Sequence, residues 1–205
     1  MTASASPHPA GSQPKWSLRL ARPEDAEFLP AIEQSAAQLF KAEPQLAHLA
    51  NAEVITQERH RILIGKGRCL VALRDNRIAG FLSAISVGRE IHILELSVHA
   101  DCQRMGMGSG LVRAAIVDAR NSGFQALTLT TFSDVEWNAP FYGALGFVAV
   151  EELSAHPRLA ELLEKETASA LQAGLHGSQP PPDEAEPAPG RPTPHRIAMI
   201  RFIAG

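Results

Sequence analysis

Between residues 103 and 110 the chain reads Gln103-Arg104-Met105-Gly106-Met107-Gly108-Ser109-Gly110, a polar, glycine-rich stretch that opens onto Leu111, Val112, Ala115, Ile116 and Ala119 at helical spacing. A turn that feeds a helix in this way makes an anion site. The first backbone N–H groups of a helix have no internal partner, and the helix dipole favours negative charge there. Two phosphate-binding patterns fail on particular residues: a P-loop needs Gly-Lys-Ser/Thr, and the dinucleotide turn needs a glycine where Leu111 stands. Just upstream, Glu90, His92 and Glu95 supply acid and base groups on one apolar run ending at Val98. Strand alternation puts Glu90 and His92 on one face and Glu95 on the other, unless a bulge intervenes. Downstream lies Tyr142, the single tyrosine, whose hydroxyl is either a proton donor or the satisfied tip of a core aromatic.

These groups need a frame, and hydrophobic periodicity supplies one. Strands are expected at Trp16 to Leu20, Arg68 to Leu73, Ile78 to Val87, Glu90 to Val98, Ala126 to Thr131, Phe147 to Glu151 and Arg196 to Ile203. Arg74-Asp75-Asn76-Arg77 separates the second and third as a short hairpin turn. Helices are expected from Pro23, with Phe28, Leu29, Ile32, Ala36 and Leu39 on one stripe, around Glu53 to Ile64, after the glycine turn, over Trp137 to Leu145, and from Pro157 to Ala173 with Gly174 as the stop. Strands alternating with helices read as an α/β class, an α+β sandwich of mixed pairing.

The glycine turn resembles the acyl-CoA pyrophosphate loop of the GNAT superfamily of N-acyltransferases, Gln/Arg-x-x-Gly-x-Gly/Ala, here Gln103 to Gly108. Trp137-Asn138-Ala139-Pro140-Phe141-Tyr142-Gly143-Ala144-Leu145-Gly146-Phe147 is similar to that superfamily's Phe-Tyr-x-x-x-Gly-Phe helix-to-strand signature. The resemblance covers Trp16 to Glu152 plus the closing strand. It implies a GNAT-like mixed, splayed sheet of about seven strands with helices on both faces. It further implies acetyl-CoA as cosubstrate, no metal, and direct transfer to a primary amine of a small molecule or peptide in a ternary complex. Gln103, Arg104, Met105 and Gly106 to Ser109, with Met107 and Gly108 between, would then surround the pyrophosphate, and the backbone of Leu96 and Val98 would pair with pantetheine. Two departures stand out: Met105 where the family is often basic, and Val135 where many members carry an asparagine. The nearest amide, Asn138, is a pantetheine or acceptor contact or else ties down its own backbone. Tyr142 would protonate the departing sulfur, and either His92 or Glu95 would take the amine proton, the alternative for both being a solvated strand edge. Phe40, the Glu90 to Glu95 strand and the segment after Glu152 would shape the acceptor site. A rival reading keeps the fold as a non-catalytic acyl-CoA-binding regulatory module.

Composition narrows the remaining classes. The 205 residues carry 19 Lys+Arg against 22 Asp+Glu, a net charge of −3, with no basic run, so nucleic acid is not an expected partner. No apolar stretch is long enough for a membrane span, and two scattered cysteines without ligand spacing suit a reducing cytoplasm and no metal. Residues 1–14 read as a disordered leader and 15–205 as one domain, working as a monomer or homodimer. Residues 177–194 hold seven prolines and no large apolar side chain, which reads as a mobile loop inserted before the last strand rather than as a clean Pro-rich ligand.

Overall fold

The computed structural model describes residues 16–133, 135–176 and 195–203. The expected leader and the whole of the expected Pro-rich loop lie outside them. Seven strands form one sheet: β1 (Trp16–Leu20), β2 (Leu70–Arg74), β3 (Arg77–Val87), β4 (Glu90–Val98), β5 (Ala126–Phe132), β6 (Val148–Ala149) and β7 (Arg196–Phe202). Their order is β1-β2-β3-β4-β5-β7-β6, and β4 with β5 is the parallel pair among otherwise antiparallel neighbours. The β2–β3 turn has positive φ at both Asp75 (49°) and Asn76 (61°), the backbone that a tight hairpin of this twist requires.

Among the described residues five α-helices cover the sheet: α1 (Leu29–Ala37), α2 (Gln57–Lys66), α3 (Met107–Asn121), α4 (Ala139–Ala144) and α5 (Pro157–His176). On one face, α3 sinks its stripe, Leu111, Val112, Ala115, Ile116 and Ala119, into Leu82, Ile91, Leu127 and Leu129 of the sheet. Leu111 and Val112 are wholly buried, and each such side chain contributes about 1.5–3 kcal/mol relative to an exposed one. The opposite face carries α1 and α2 on Val71 and Phe81, and α5 on Ala198 through Leu159 and Leu163.

Local detail departs from expectation in four places. Pro23–Glu27 is a 3₁₀ turn, so α1 starts only at Leu29, and Phe28 is turned out to solvent. Asp25 causes this early turn: it clamps Arg19 with two hydrogen bonds of 2.6 and 2.9 Å and accepts the Arg22 N–H at 2.7 Å. After α1 the chain continues in 3₁₀ turns, Gln38–Ala42 and Pro44–Asn51, and α2 begins at Gln57, where Thr56 caps the Arg59 N–H. The expected strand from Phe147 shrinks to Val148–Ala149, and α5 runs past Gly174 to His176.

Candidate active site

The sheet opens where β4 leaves β5. The two strands pair at only three positions, Glu90 with Ala126, Ile91 with Leu127 and His92 with Thr128, and then part. At the same point β4 is irregular: Ser83 faces Glu95 and Ala84 faces Ile93, so Leu94 is an extra residue between them. A bulge resets the alternation by one. Glu90, His92 and Glu95 therefore share the face of the sheet that α1 covers, where unbroken alternation places Glu95 opposite. Leu96 and Val98 point the other way, into the α3 core.

A cleft of about 900 Å³ fills the gap. One end is the glycine turn. Gly106 takes φ +83°, a left-handed conformation that aims the following N–H groups of α3 outward and that a side chain resists. Packing fixes the turn: the Trp16 indole N–H donates to the Met105 carbonyl at 2.9 Å, and the Gln103 amide donates to the Val98 carbonyl at 3.0 Å. A Cβ on Gly110 would stand 2.4 Å from the Trp16 ring, so that glycine is needed for close approach. Gly106, Met107, Gly108 and Ser109 line the cleft with Gln103 and Arg104. Met105 does not; it packs against the core, with an Arg74 nitrogen 3.4 Å from its sulfur. Arg104 is largely exposed and faces Glu136 at 3.4 Å.

Glu95 and Tyr142 reach the other part of the cleft from opposite sides of the sheet. Glu95 is half-buried and accepts the Ser97 hydroxyl at 2.7 Å. Burial first, and the neighbouring Glu33 carboxylate second, push its carboxyl up to about 7. Tyr142 is 8% exposed and packs edge-on against Phe141 and Phe147. Burial, and then the Glu95 charge, raise its hydroxyl above the usual phenol range, so it stays protonated and able to donate. Asn138 precedes α4 without capping it, and its side-chain Nδ2 is buried with no hydrogen-bond partner on the cleft wall.

His92 sits elsewhere. It is 3% exposed, does not line the cleft, and shares a 3.0 Å hydrogen bond with Thr128. Arg158 of α5 completes that cluster, donating to Glu90 at 2.6 Å and to Thr128 at 2.9 Å. Burial, with Arg158 adding to it, lowers His92 to about 4, so the ring is neutral near pH 7. Phe40 lines the cleft as expected, whereas among the described residues after Glu152 Arg196 alone lines it, held by Glu166 at 2.9 Å. The sequence reading passed over Glu33, another cleft residue. Its signal is a carboxylate four residues after Leu29 and three before Ala36, on what is otherwise an apolar stripe.

The chain matches the model of the acetyltransferase (GNAT) family over residues 32–147, more than half its length, and belongs to that family. Solved structures agree on the fold. The ribosomal-protein-S18-alanine N-acetyltransferase of Escherichia coli superposes with a TM-score of 0.60 at 16% identity, covering 93% of this chain and 95% of that one. Ard1 from Thermoplasma volcanium gives 0.60 at 18%, covering 93% and 99%. The PaiA N-acetyltransferase of Thermoplasma acidophilum, solved in complex with coenzyme A, gives 0.58 at 13%, covering 91% and 98%.

Proposed function

We propose that the protein is an N-acetyltransferase that moves the acetyl group of acetyl-CoA directly to a primary amine in a ternary complex. The observation that carries this reading is the convergence of Glu95, Tyr142 and the glycine turn on one cleft at the parting of β4 and β5. The cleft suits the cosubstrate on three counts. The N–H groups after left-handed Gly106 suit a pyrophosphate, the β4 edge that β5 leaves unpaired past His92 suits the amides of pantetheine, and the unpartnered Asn138 amide suits a carbonyl of the same arm.

Acetyl-CoA supplies the acetyl group as a thioester; the rest is proton handling by this chain. An alkyl ammonium with a pKa of about 10 must lose a proton before its nitrogen can attack. Glu95, poised at about 7, takes that proton. Tyr142 gives its hydroxyl proton to sulfur as the C–N bond forms and the C–S electron pair leaves with the thiol, and it regains a proton from the acylated nitrogen. The balance is one amide, one free thiol and one proton released to solvent. Glu95 rather than His92 is the base, because only Glu95 borders the cleft.

The small-molecule or peptide amine is the only partner this scheme needs, and a monomer or homodimer working in the cytoplasm suits it. Among the described residues no helix is long and apolar enough to cross a membrane. The test is twofold: acetyl-CoA should raise the melting temperature of the purified chain, and free thiol should appear only when an amine is added. Stabilisation without amine-dependent thiol release would favour a non-catalytic acyl-CoA-binding module.

A further inference from the structure

The acceptor side of the cleft is acidic and aromatic at once. Glu33 and Glu95 border it, and the two carboxylates are close enough for the charge of one to raise the other. Glu33 is held by the Ile55 N–H at 3.2 Å on one oxygen, while its second oxygen is buried without a hydrogen bond, 3.4 Å from a His60 nitrogen. Two like charges facing one cavity repel each other, and a cation between them relieves both. The wall beside them is a trio of rings: Phe40 stands edge-on to Phe132 at 6.1 Å and to Trp137 at 6.3 Å, each ring from a different segment. Such a wall takes an apolar, ring-shaped body.

Among the described residues, the cations that border this cleft already have carboxylate partners. Arg196 donates to Glu166 at 2.9 Å and Thr130 at 3.2 Å and lies 5.0 Å over the Phe132 ring, and Arg104 stands at the glycine-turn end facing Glu136. A substrate carboxylate would meet Glu33 and Glu95 with no unpaired guanidinium among the described residues to receive it. A second ammonium on the far end of a substrate would be left against the rings.

Resting on the acetyltransferase reading, we propose that the acceptor is an arylalkyl primary amine without a carboxylate. Glu95 holds its nitrogen, the Glu33 charge behind the cleft wall adds to the attraction, and Phe40, Phe132 and Trp137 enclose its ring. Glu33 thereby acts as a positioning residue, its charge favouring the ammonium whose proton Glu95 removes.

The experiment is free-thiol release from saturating acetyl-CoA by the full chain with 2-phenylethylamine, n-butylamine, phenylalanine and 1,4-diaminobutane. The kcat/KM for 2-phenylethylamine should exceed that for n-butylamine by about 10-fold or more and that for phenylalanine by about 100-fold or more. Glu33→Gln, which keeps an acceptor for the Ile55 N–H, should weaken 2-phenylethylamine binding to the coenzyme A-loaded protein by about 10-fold in calorimetry and leave coenzyme A affinity unchanged. Thiol release that ranks phenylalanine or the diamine first, or an unchanged amine affinity in Glu33→Gln, overturns the acceptor assignment and leaves the acetyltransferase reading standing. Thiol release with none of the four amines, in protein that binds acetyl-CoA, overturns the acceptor assignment, and no release with peptide amines either overturns the acetyltransferase reading as well.

Discussion

Removing the charge of Glu95 should make the protein more stable while it disables catalysis. A carboxyl with an ordinary value of 4.5 sits at about 7 in the folded chain, so the native state holds its proton over a window in which the unfolded state has already lost it. Stability from this group is therefore fully present below about pH 4.5, declines as pH rises, and is lost above about 7. At 1.36 kcal/mol per pH unit the displacement is worth about 3 kcal/mol, an upper bound because one side of the carboxyl faces the open cleft. Glu95→Gln keeps the shape and an oxygen for the Ser97 hydroxyl, so the charge is what it deletes. At pH 8.5 the variant should melt higher than wild type by up to about 6–12 °C, and at pH 4.5 the two should coincide. Thermal melts monitored by circular dichroism across that range, with thiol release measured alongside, read both effects. A variant no more stable than wild type at pH 8.5, or equally stabilised at both ends, would refute the claim that burial and Glu33 strain this carboxylate.

Tyr142→Phe should lower kcat by about 10²- to 10⁴-fold with acetyl-CoA affinity unchanged in calorimetry, because a general acid acts only as charge develops on sulfur. Gly108→Glu should abolish coenzyme A stabilisation in melting experiments without unfolding the chain, since the first added carbon meets only ordinary contacts at 3.6 and 3.8 Å while the carboxylate occupies the anion site. His92→Ala should leave the shape of the pH–rate profile intact but lower stability in denaturant melts by about 1–3 kcal/mol, through the lost Thr128 contact and packing. His92, neutral in the fold and lowered to about 4, should also withdraw stability from wild type as pH falls from about 6.5 through 4, a slope missing from His92→Ala.

The parts of this molecule that were legible in the sequence are those set by local chemistry. Gly106 is required by its own backbone angle, Asp75-Asn76 by the hairpin turn, and the α3 stripe by its period, so each announces itself within a few residues. The role of Glu95 was not legible, because the extra residue at Leu94 that turns it toward α1 arises from the register with β3, and alternation alone gives the opposite face. His92 and Glu95 looked equivalent for the same reason. Their difference comes from neighbours far along the chain: Thr128 and Arg158 seal the histidine, whereas the parting of β4 from β5 opens a cleft beside the glutamate. The early 3₁₀ turn likewise depends on Arg19 meeting Asp25, a side-chain clamp that overrides the helical stripe beginning at Phe28.

The most direct test is the pH dependence of kcat/KM for amine-dependent thiol release at saturating acetyl-CoA. If Glu95 is the base for a bound ammonium, the profile is a bell, with an acid limb near 7 and an alkaline limb at the amine's own pKa of about 10. A profile that climbs without a break through 7 up to the amine pKa would mean that neutral amine is drawn from solution, and would contradict the assignment of Glu95 as the base.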